Sequence, residues 1–312
     1  MKIGLDTFSF HIALAAGRYD VFRTLDWMAE HGFTGIQINI NGPDGRFLGA
    51  DPANTSHVEH VRRRLADLNF FAEVGGGHAT DASLITHQLE LAAAVGADVL
   101  RTVIGFQGSI GETIAQTRAA MDQVLPFARK LGVRIAIENH EDVTAAELGQ
   151  LIKVIDDPIV GACLDTGNDL VVYGDPLMAA QVLAPVAIST HIKDQKLIRV
   201  GATIYSVGVP LGTGDVELPS ILKVIQTQST VGRVLIQNCT GYSAPLNKFK
   251  RPDLQPVGNY TQIPNYATVA DARSSGYLLN LDRLTPEELS SYAIRQEGDL
   301  QQDLSTIRSL MS

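Results

Sequence analysis

The 312-residue chain predicts a single (β/α)8 barrel on three observations. Short β-rich runs alternate strictly with longer amphipathic stretches, and there are eight of each, which implies a parallel sheet covered by helices. The third observation excludes the main alternative. An open doubly wound sheet that binds a dinucleotide needs a glycine-rich turn after its first strand, and Asp6-Thr7-Phe8-Ser9-Phe10-His11 is not one.

The strand runs lie near 2–8, 35–40, 70–76, 98–105, 133–139, 160–166, 186–193 and 233–239. Helical patterns lie near 19–31, 52–68, 82–95, 111–131, 144–155, 176–184, 217–228 and 285–310. Several helices run into a glycine before the next strand, as in His31-Gly32-Phe33, Val95-Gly96-Ala97 and Leu131-Gly132-Val133, where a left-handed C-terminal residue is expected. Barrels reach this length as one domain, so residues 1–312 are read as a single unit. Two connections are long and lack clear periodicity: 195–216 after the seventh strand and 241–283 after the eighth, the latter rich in Pro, Asn, Tyr and Gly. Such stretches form lids or partner-binding arms, or are disordered. The 241–283 arm is where a second copy or a small partner subunit is expected to dock.

A net charge of -9, from 25 Lys and Arg against 34 Asp and Glu, repels nucleic acid. Cys163 and Cys239 both sit in apolar runs and read as reduced, packed thiols, so a cytoplasmic location is expected. Neither a secretory leader nor a run of about 20 apolar residues is visible, so no membrane role is expected.

Strand parity selects the residues that face the barrel axis. In Ile135-Ala136-Ile137-Glu138-Asn139-His140 the large aliphatics suit the helix layer, leaving Ala136, Glu138 and His140 on the axis. The same sorting turns Asp6, Gln37, Asn39, Glu73, Arg101, Asp165, His191 and Gln237 inward. Burying so many polar groups together costs several kcal/mol unless they pair or coordinate something. Glu138, Asp165, His191 and Gln237, on strands five to eight, form one arc at the mouth where barrels place their catalytic residues. Their oxygens and one imidazole suit one divalent cation: Mn2+, Mg2+, Co2+ or Zn2+. The plainer roles are an ion pair of Glu138 with Arg101, a turn-forming Asp165, a core His191 and a bridging Gln237. Lys193 shares the parity of His191 and is a candidate for substrate oxygen, as is His78 after Gly75-Gly76-Gly77. His11 is expected to line the pocket with Phe8 and Phe10.

Through Ile137-Glu138-Asn139-His140, Leu164-Asp165-Thr166-Gly167-Asn168, Thr190-His191-Ile192-Lys193-Asp194 and Pro210-Leu211-Gly212-Thr213-Gly214-Asp215, the chain resembles the xylose isomerase-like barrel superfamily of sugar isomerases and epimerases. The resemblance covers residues 1–240 and the last helix. It implies a divalent metal, Mn2+ first, held by Glu, Asp, His and a second Glu, and polarising a sugar carbonyl. Gln237 replaces that second Glu; its carbonyl can ligate an ion but cannot accept a proton. The expected chemistry is isomerisation or epimerisation of a sugar or keto sugar by proton abstraction α to a carbonyl, with Glu138 or His140 as base. A lyase of the same superfamily, a dehydratase or an eliminating C-glycoside-cleaving enzyme, is the alternative, and a non-catalytic sugar-binding barrel is the third reading.

Overall fold

The computed structural model describes residues 1–42, 45–256, 261–277, 281 and 284–311. Its strands and helices follow in the order β1 (Lys2–Asp6), α1 (His11–Ala15), α2 (Val21–Glu30), β2 (Gly35–Asn39), α3 (Thr55–Asp67), β3 (Phe71–His78), α4 (Ala82–Val95) and β4 (Val99–Val103). They continue as α5 (Ile110–Leu131), β5 (Arg134–Glu138), α6 (Ala145–Ile155), β6 (Val160–Asp165), α7 (Pro176–Leu183) and β7 (Ala187–His191). After these come β8 (Asp194–Val200), β9 (Thr203–Val209), α8 (Leu218–Gln228), β10 (Arg233–Ile236), β11 (Ser243–Pro245), β12 (Asn265–Tyr266), α9 (Val269–Ser274) and α10 (Pro286–Met311).

Eight parallel strands pair in the order β10-β1-β2-β3-β4-β5-β6-β7, so the predicted barrel is present, with β10 as its eighth strand. The ring closes where Ile192 N–H donates to Leu235 O at 2.7 Å and Gln237 N–H donates to Ile192 O at 2.9 Å. The aliphatics assigned outward, among them Leu5, Ile36, Ile38, Leu100, Ile135, Ile137 and Leu164, are all buried in the layer between sheet and helices. Gly32, Gly96 and Gly132 all take positive φ, between 70° and 83°, as the helix ends required. Side-chain caps from Asp20, Asn54, Asp81, Ser109, Thr144 and Asp175 start the helices that follow them.

Three expectations change. The first strand stops at Asp6 rather than near residue 8, because the Asp6 carboxylate accepts from Phe8 N–H at 2.8 Å and turns the chain into a 3-10 helix. The 195–216 connection is an antiparallel hairpin, β8 against β9, with Val200 opposite Thr203. The 241–283 arm contributes β11 and β12 to that hairpin, in the sheet order β11-β9-β8-β12, and adds α9 beside it. Residues 257–260, 278–280 and 282–283 of the arm lie outside the described residues. This second sheet has its own small core of Ile198, Val200, Val207, Val209 and Ala272. No described helix is long and apolar enough to cross a membrane, and both cysteines are buried and free.

A candidate metal centre at the barrel mouth

Glu138, Asp165 and His191 end three consecutive barrel strands, β5, β6 and β7. All three are buried, and one donor atom from each lies within 4.8 Å of the other two. His191 Nδ1 stands 3.1 Å from Glu138 Oε1 and 3.8 Å from Asp165 Oδ2. The two oxygens of Asp165 differ. Oδ1 accepts the backbone N–H groups of Gly167 at 2.8 Å and Asn168 at 2.9 Å, whereas Oδ2 is buried with no hydrogen bond. Lys193 Nζ is 3.2 Å from Oδ2, close enough to pair electrostatically but without hydrogen-bond alignment. An orphaned carboxylate oxygen between a second carboxylate and an imidazole is an environment that a divalent cation completes, so the donor set fits a metal.

The electrostatics are strongly coupled. Burial opposes ionisation of Glu138, but His191 and Arg101 hold its carboxyl well below the usual carboxylate range. Burial raises Asp165 above its ordinary value, against the pull of Lys193. Burial also opposes charge on His191, yet the imidazole lies well above its ordinary value. Burial pushes up the adjacent Cys163 thiol, which keeps it neutral, so we assign the upward push on His191 to Glu138. Lys193 is likewise raised: burial is outweighed by the carboxylates around it, Asp165 foremost.

A cavity of about 270 Å3 opens over this cluster, lined by Glu138, His140, Glu141, Asn168, Lys193, Gln237 and Arg101 with Phe8, Phe47 and Tyr242 as apolar wall. Asn168 bridges the site, donating to Glu138 Oε1 at 3.0 Å and accepting from Lys193 Nζ at 2.7 Å. The ion pair of Arg101 with Glu138, held in reserve as the plainer role, is present at 3.5 Å beside the donor cluster. The His140 imidazole reaches the cavity and makes no hydrogen bond with a described residue. Gln237 lines the same cavity, with its side-chain carbonyl 3.6 Å from Cys239 Sγ.

Two expected substrate contacts are not among the lining residues. His78 is exposed at the end of β3, its ring packed at Gly105. The glycines before it clear room for side chains instead of substrate: a Cβ on Gly75 would sit 2.1 Å from Asn39 Oδ1, and one on Gly76 would sit 2.3 Å from Gln88 Oε1. His11 stands behind the wall, stacked on Phe8 at 4.4 Å with its Nδ1 2.7 Å from Phe8 O. Burial lowers it to about 4, so it supports the wall as a neutral ring.

The arm supplies residues that the sequence did not single out. Tyr242 Oη donates to Glu141, 2.7 and 2.8 Å from its two oxygens, and Lys248 Nζ donates to Glu141 at 2.6 Å. Arg251, 1% exposed, pairs with Glu147 and donates to the Asp142 carbonyl, fastening the arm onto the β5–α6 loop. Glu141 and Tyr242 are 101 residues apart, and a contact of that range leaves no local signal. Asn168 had one, since it stood inside a motif on the strand-six turn.

A family model for the xylose isomerase-like TIM barrel matches residues 25–237. The chain belongs to this family. Among curated relatives of this barrel, the 3-oxo-isoapionate decarboxylase of Pectobacterium atrosepticum is 27% identical over 234 residues, covering 72% of this chain and 81% of that protein. The C-glycoside deglycosidase alpha subunit of Arthrobacter globiformis is 26% identical over 194 residues, covering 57% of this chain and 50% of that one. In structure, the D-psicose 3-epimerase of Clostridium cellulolyticum H10, solved with D-tagatose, superimposes with a TM-score of 0.67 at 13% identity over 100% of both chains. That last similarity shows the shared fold.

Proposed function

We propose that the protein is a divalent-metal-dependent lyase acting on a 3-oxo sugar or sugar acid, with loss of CO2 or of a β substituent through an enediolate. The observation that carries this reading is the Glu138–Asp165–His191 donor set beside a cavity lined by Glu138 and by Gln237, which stands in place of a carboxylate just past the eighth strand. Epimerisation by two opposed carboxylate bases lacks its second base there, because an amide cannot accept a proton. Decarboxylation and β-elimination need only one proton-handling group. The two curated relatives support the same direction, one by name a decarboxylase of a 3-oxo acid and the other a deglycosidase.

A divalent ion held by Glu138, Asp165, His191 and Gln237 Oε1 would stabilise negative charge developing on the substrate carbonyl oxygen. Lys193 and Asn168 present donors to substrate oxygens from the same side of the cavity. His140 is the proton carrier: its ring is uncommitted among described residues and opens to the cavity. In decarboxylation the C–C bond electrons move into the ketone as CO2 leaves, and His140 delivers a proton to the carbanionic carbon. In elimination His140 removes the α proton, the enediolate pair expels the β substituent with its bonding electrons, and the departing oxygen takes up that proton. Phe8, Phe47 and Tyr242 exclude water from the enediolate.

Isomerisation or epimerisation is the second reading, favoured by His140 itself, which could return a proton to the opposite face. The test is Mn2+-loaded protein with ketoses, 3-keto-glycosides and 3-oxo sugar acids in D2O, followed by NMR, with Glu138→Ala as control. Loss of CO2 with one deuterium incorporated at the carbon that carried it, or loss of a β substituent together with the α proton, is expected. An epimeric ketose carrying deuterium would replace the lyase with the second reading, and absence of exchange in every substrate would sink both.

A further inference from the structure

We propose that Gln37 is a positioning residue that dedicates His191 Nδ1 to metal ligation, and that its orientation is set by a hydrogen-bonded chain running from Arg233 at the opposite end of the barrel. Gln37 sits on β2, outside the donor set, and its assignment rests on the metal-site reading of Glu138, Asp165 and His191.

Each link follows from donor and acceptor chemistry. Glu73, 0% exposed in the barrel interior, accepts on both oxygens: Oε1 from Arg233 Nε at 2.8 Å, and Oε2 from Ser189 Oγ at 2.6 Å and from Gln37 Nε2 at 3.1 Å. An amide nitrogen is the only end of Gln37 that can face this acceptor, so the amide oxygen must point the other way. The far end agrees independently. Arg101 Nε, which can only donate, lies 3.3 Å from Gln37 Oε1. Two neighbours of opposite character therefore fix the same amide.

His191 Nε2 lies 2.9 Å from that fixed oxygen. An oxygen with no hydrogen can only accept, so Nε2 must carry a proton. The lone pair available for a cation is then on Nδ1, the nitrogen turned toward Glu138 and Asp165. Metal-binding histidines gain orientation and basicity from such an acceptor on the other nitrogen, and its removal costs about 10- to 100-fold in metal affinity. Here the acceptor is a neutral amide, polarised at one end by a carboxylate and at the other by a guanidinium. The reversed amide would turn its NH2 group against the Nε2 proton, so the cost of losing the orientation includes repulsion as well as a lost bond.

The experiment uses 15N-histidine-labelled full-length protein with Zn2+ for NMR, and Mn2+ and Zn2+ titrations by calorimetry; none of these requires a substrate or turnover. In zinc-loaded wild type, His191 is expected to show a protonated Nε2 in slow exchange and a zinc-shifted Nδ1. Gln37→Leu should weaken both ions by about 10- to 100-fold with an unchanged circular dichroism spectrum. Glu73→Gln, which keeps shape and does not touch His191, should produce a smaller loss in the same direction and remains informative if Gln37→Leu does not fold. Equal affinities in both variants, or zinc on Nε2 in the wild type, overturn the proposal while leaving the metal site intact. A wild type that takes up neither ion overturns the metal-site reading and this inference with it.

Discussion

The two ends of the barrel interior both bury charged groups and treat them oppositely. At the N-terminal end Arg233 pairs with Glu73 at 2.8 Å and with Asp98, stacks on the Phe71 ring at 4.7 Å, and leaves no Glu73 oxygen without a donor. At the C-terminal end Asp165 Oδ2 is buried without a hydrogen bond, and two carboxylates crowd one imidazole. Closed pairing is what stability selects for buried charge, whereas an unfilled acceptor set is tolerated where something else completes it. The bottom of the barrel is therefore built to hold and the mouth to bind.

The sharpest way to break this contrast is one substitution at each end. Asp165→Asn keeps an oxygen for the Gly167 and Asn168 N–H groups and removes the orphaned charge. Turnover should fall by about 10²- to 10³-fold or more, with metal uptake lost and a native circular dichroism spectrum. Normal turnover in this variant would remove Asp165 from the site. Arg233→Ala at the other end strips the guanidinium from a buried carboxylate and should cost about 3–5 kcal/mol in urea unfolding. Its turnover per folded molecule at saturating metal should match wild type, and a loss of that turnover without destabilisation would erase the distinction between the two ends.

A third buried carboxylate lies between these extremes. Asp303 on α10 accepts from Asn238 Nδ2 at 2.6 Å and Leu211 N–H at 2.8 Å, with Asp299 and Asp194 as the charged groups nearby. Burial raises it from 3.8 to about 7. Between those values the folded state binds a proton that the unfolded chain does not, so this contribution to stability is complete below about pH 4 and is lost as pH rises through about 7. Wild-type stability should decline with a slope of up to about 1.4 kcal/mol per pH unit from this group, and Asp303→Asn should flatten that part of the profile. Parallel urea profiles for the two proteins from pH 5 to pH 8 would show that the pairing with Asn238 and Leu211 already offsets burial.

The contrast also explains which parts of the molecule were legible in the sequence. The barrel was, because period-two alternation in Ile135–Glu138 or Gly35–Asn39, apolar toward the helices and polar toward the axis, is a local pattern even in strands buried on both faces. The same parity turned Glu138, Asp165 and His191 inward, and the parallel order of β5, β6 and β7 then brings them together. Parity could not rank depth, so it turned Arg101 inward without showing that Arg101 lines the cavity. The β8–β9 hairpin had a readable signal, Leu197-Ile198-Arg199-Val200-Gly201-Ala202-Thr203-Ile204-Tyr205, with β-branched and aromatic residues flanking a Gly-Ala turn. It is missed when 195–216 is read as a long connection without periodicity between the seventh strand and the next helix. Fastening of the arm by Tyr242, Lys248 and Arg251 had no signal at all, because each ion pair or hydrogen bond reaches more than 100 residues back.

That fastening gives the smallest expected effect and decides to which region the arm belongs. Tyr242 lines the cavity and holds Glu141, which also receives Lys248 at 2.6 Å, so removing the hydroxyl leaves the carboxylate partnered. Tyr242→Phe therefore loses the bond to Glu141 and the one accepted from Lys248 at 3.1 Å, a net of about 0.5–1.5 kcal/mol, since Lys248 and Glu141 stay paired with each other. If the arm is a wall of the mouth, that loss should appear in substrate binding, as a KM raised by about two- to ten-fold with kcat nearly unchanged. If the arm serves only to seal the second sheet, the same energy should appear in urea unfolding with KM unmoved. Steady-state kinetics and a denaturation curve on this one variant separate the two, because a loss this small is not enough to disturb both regions at once.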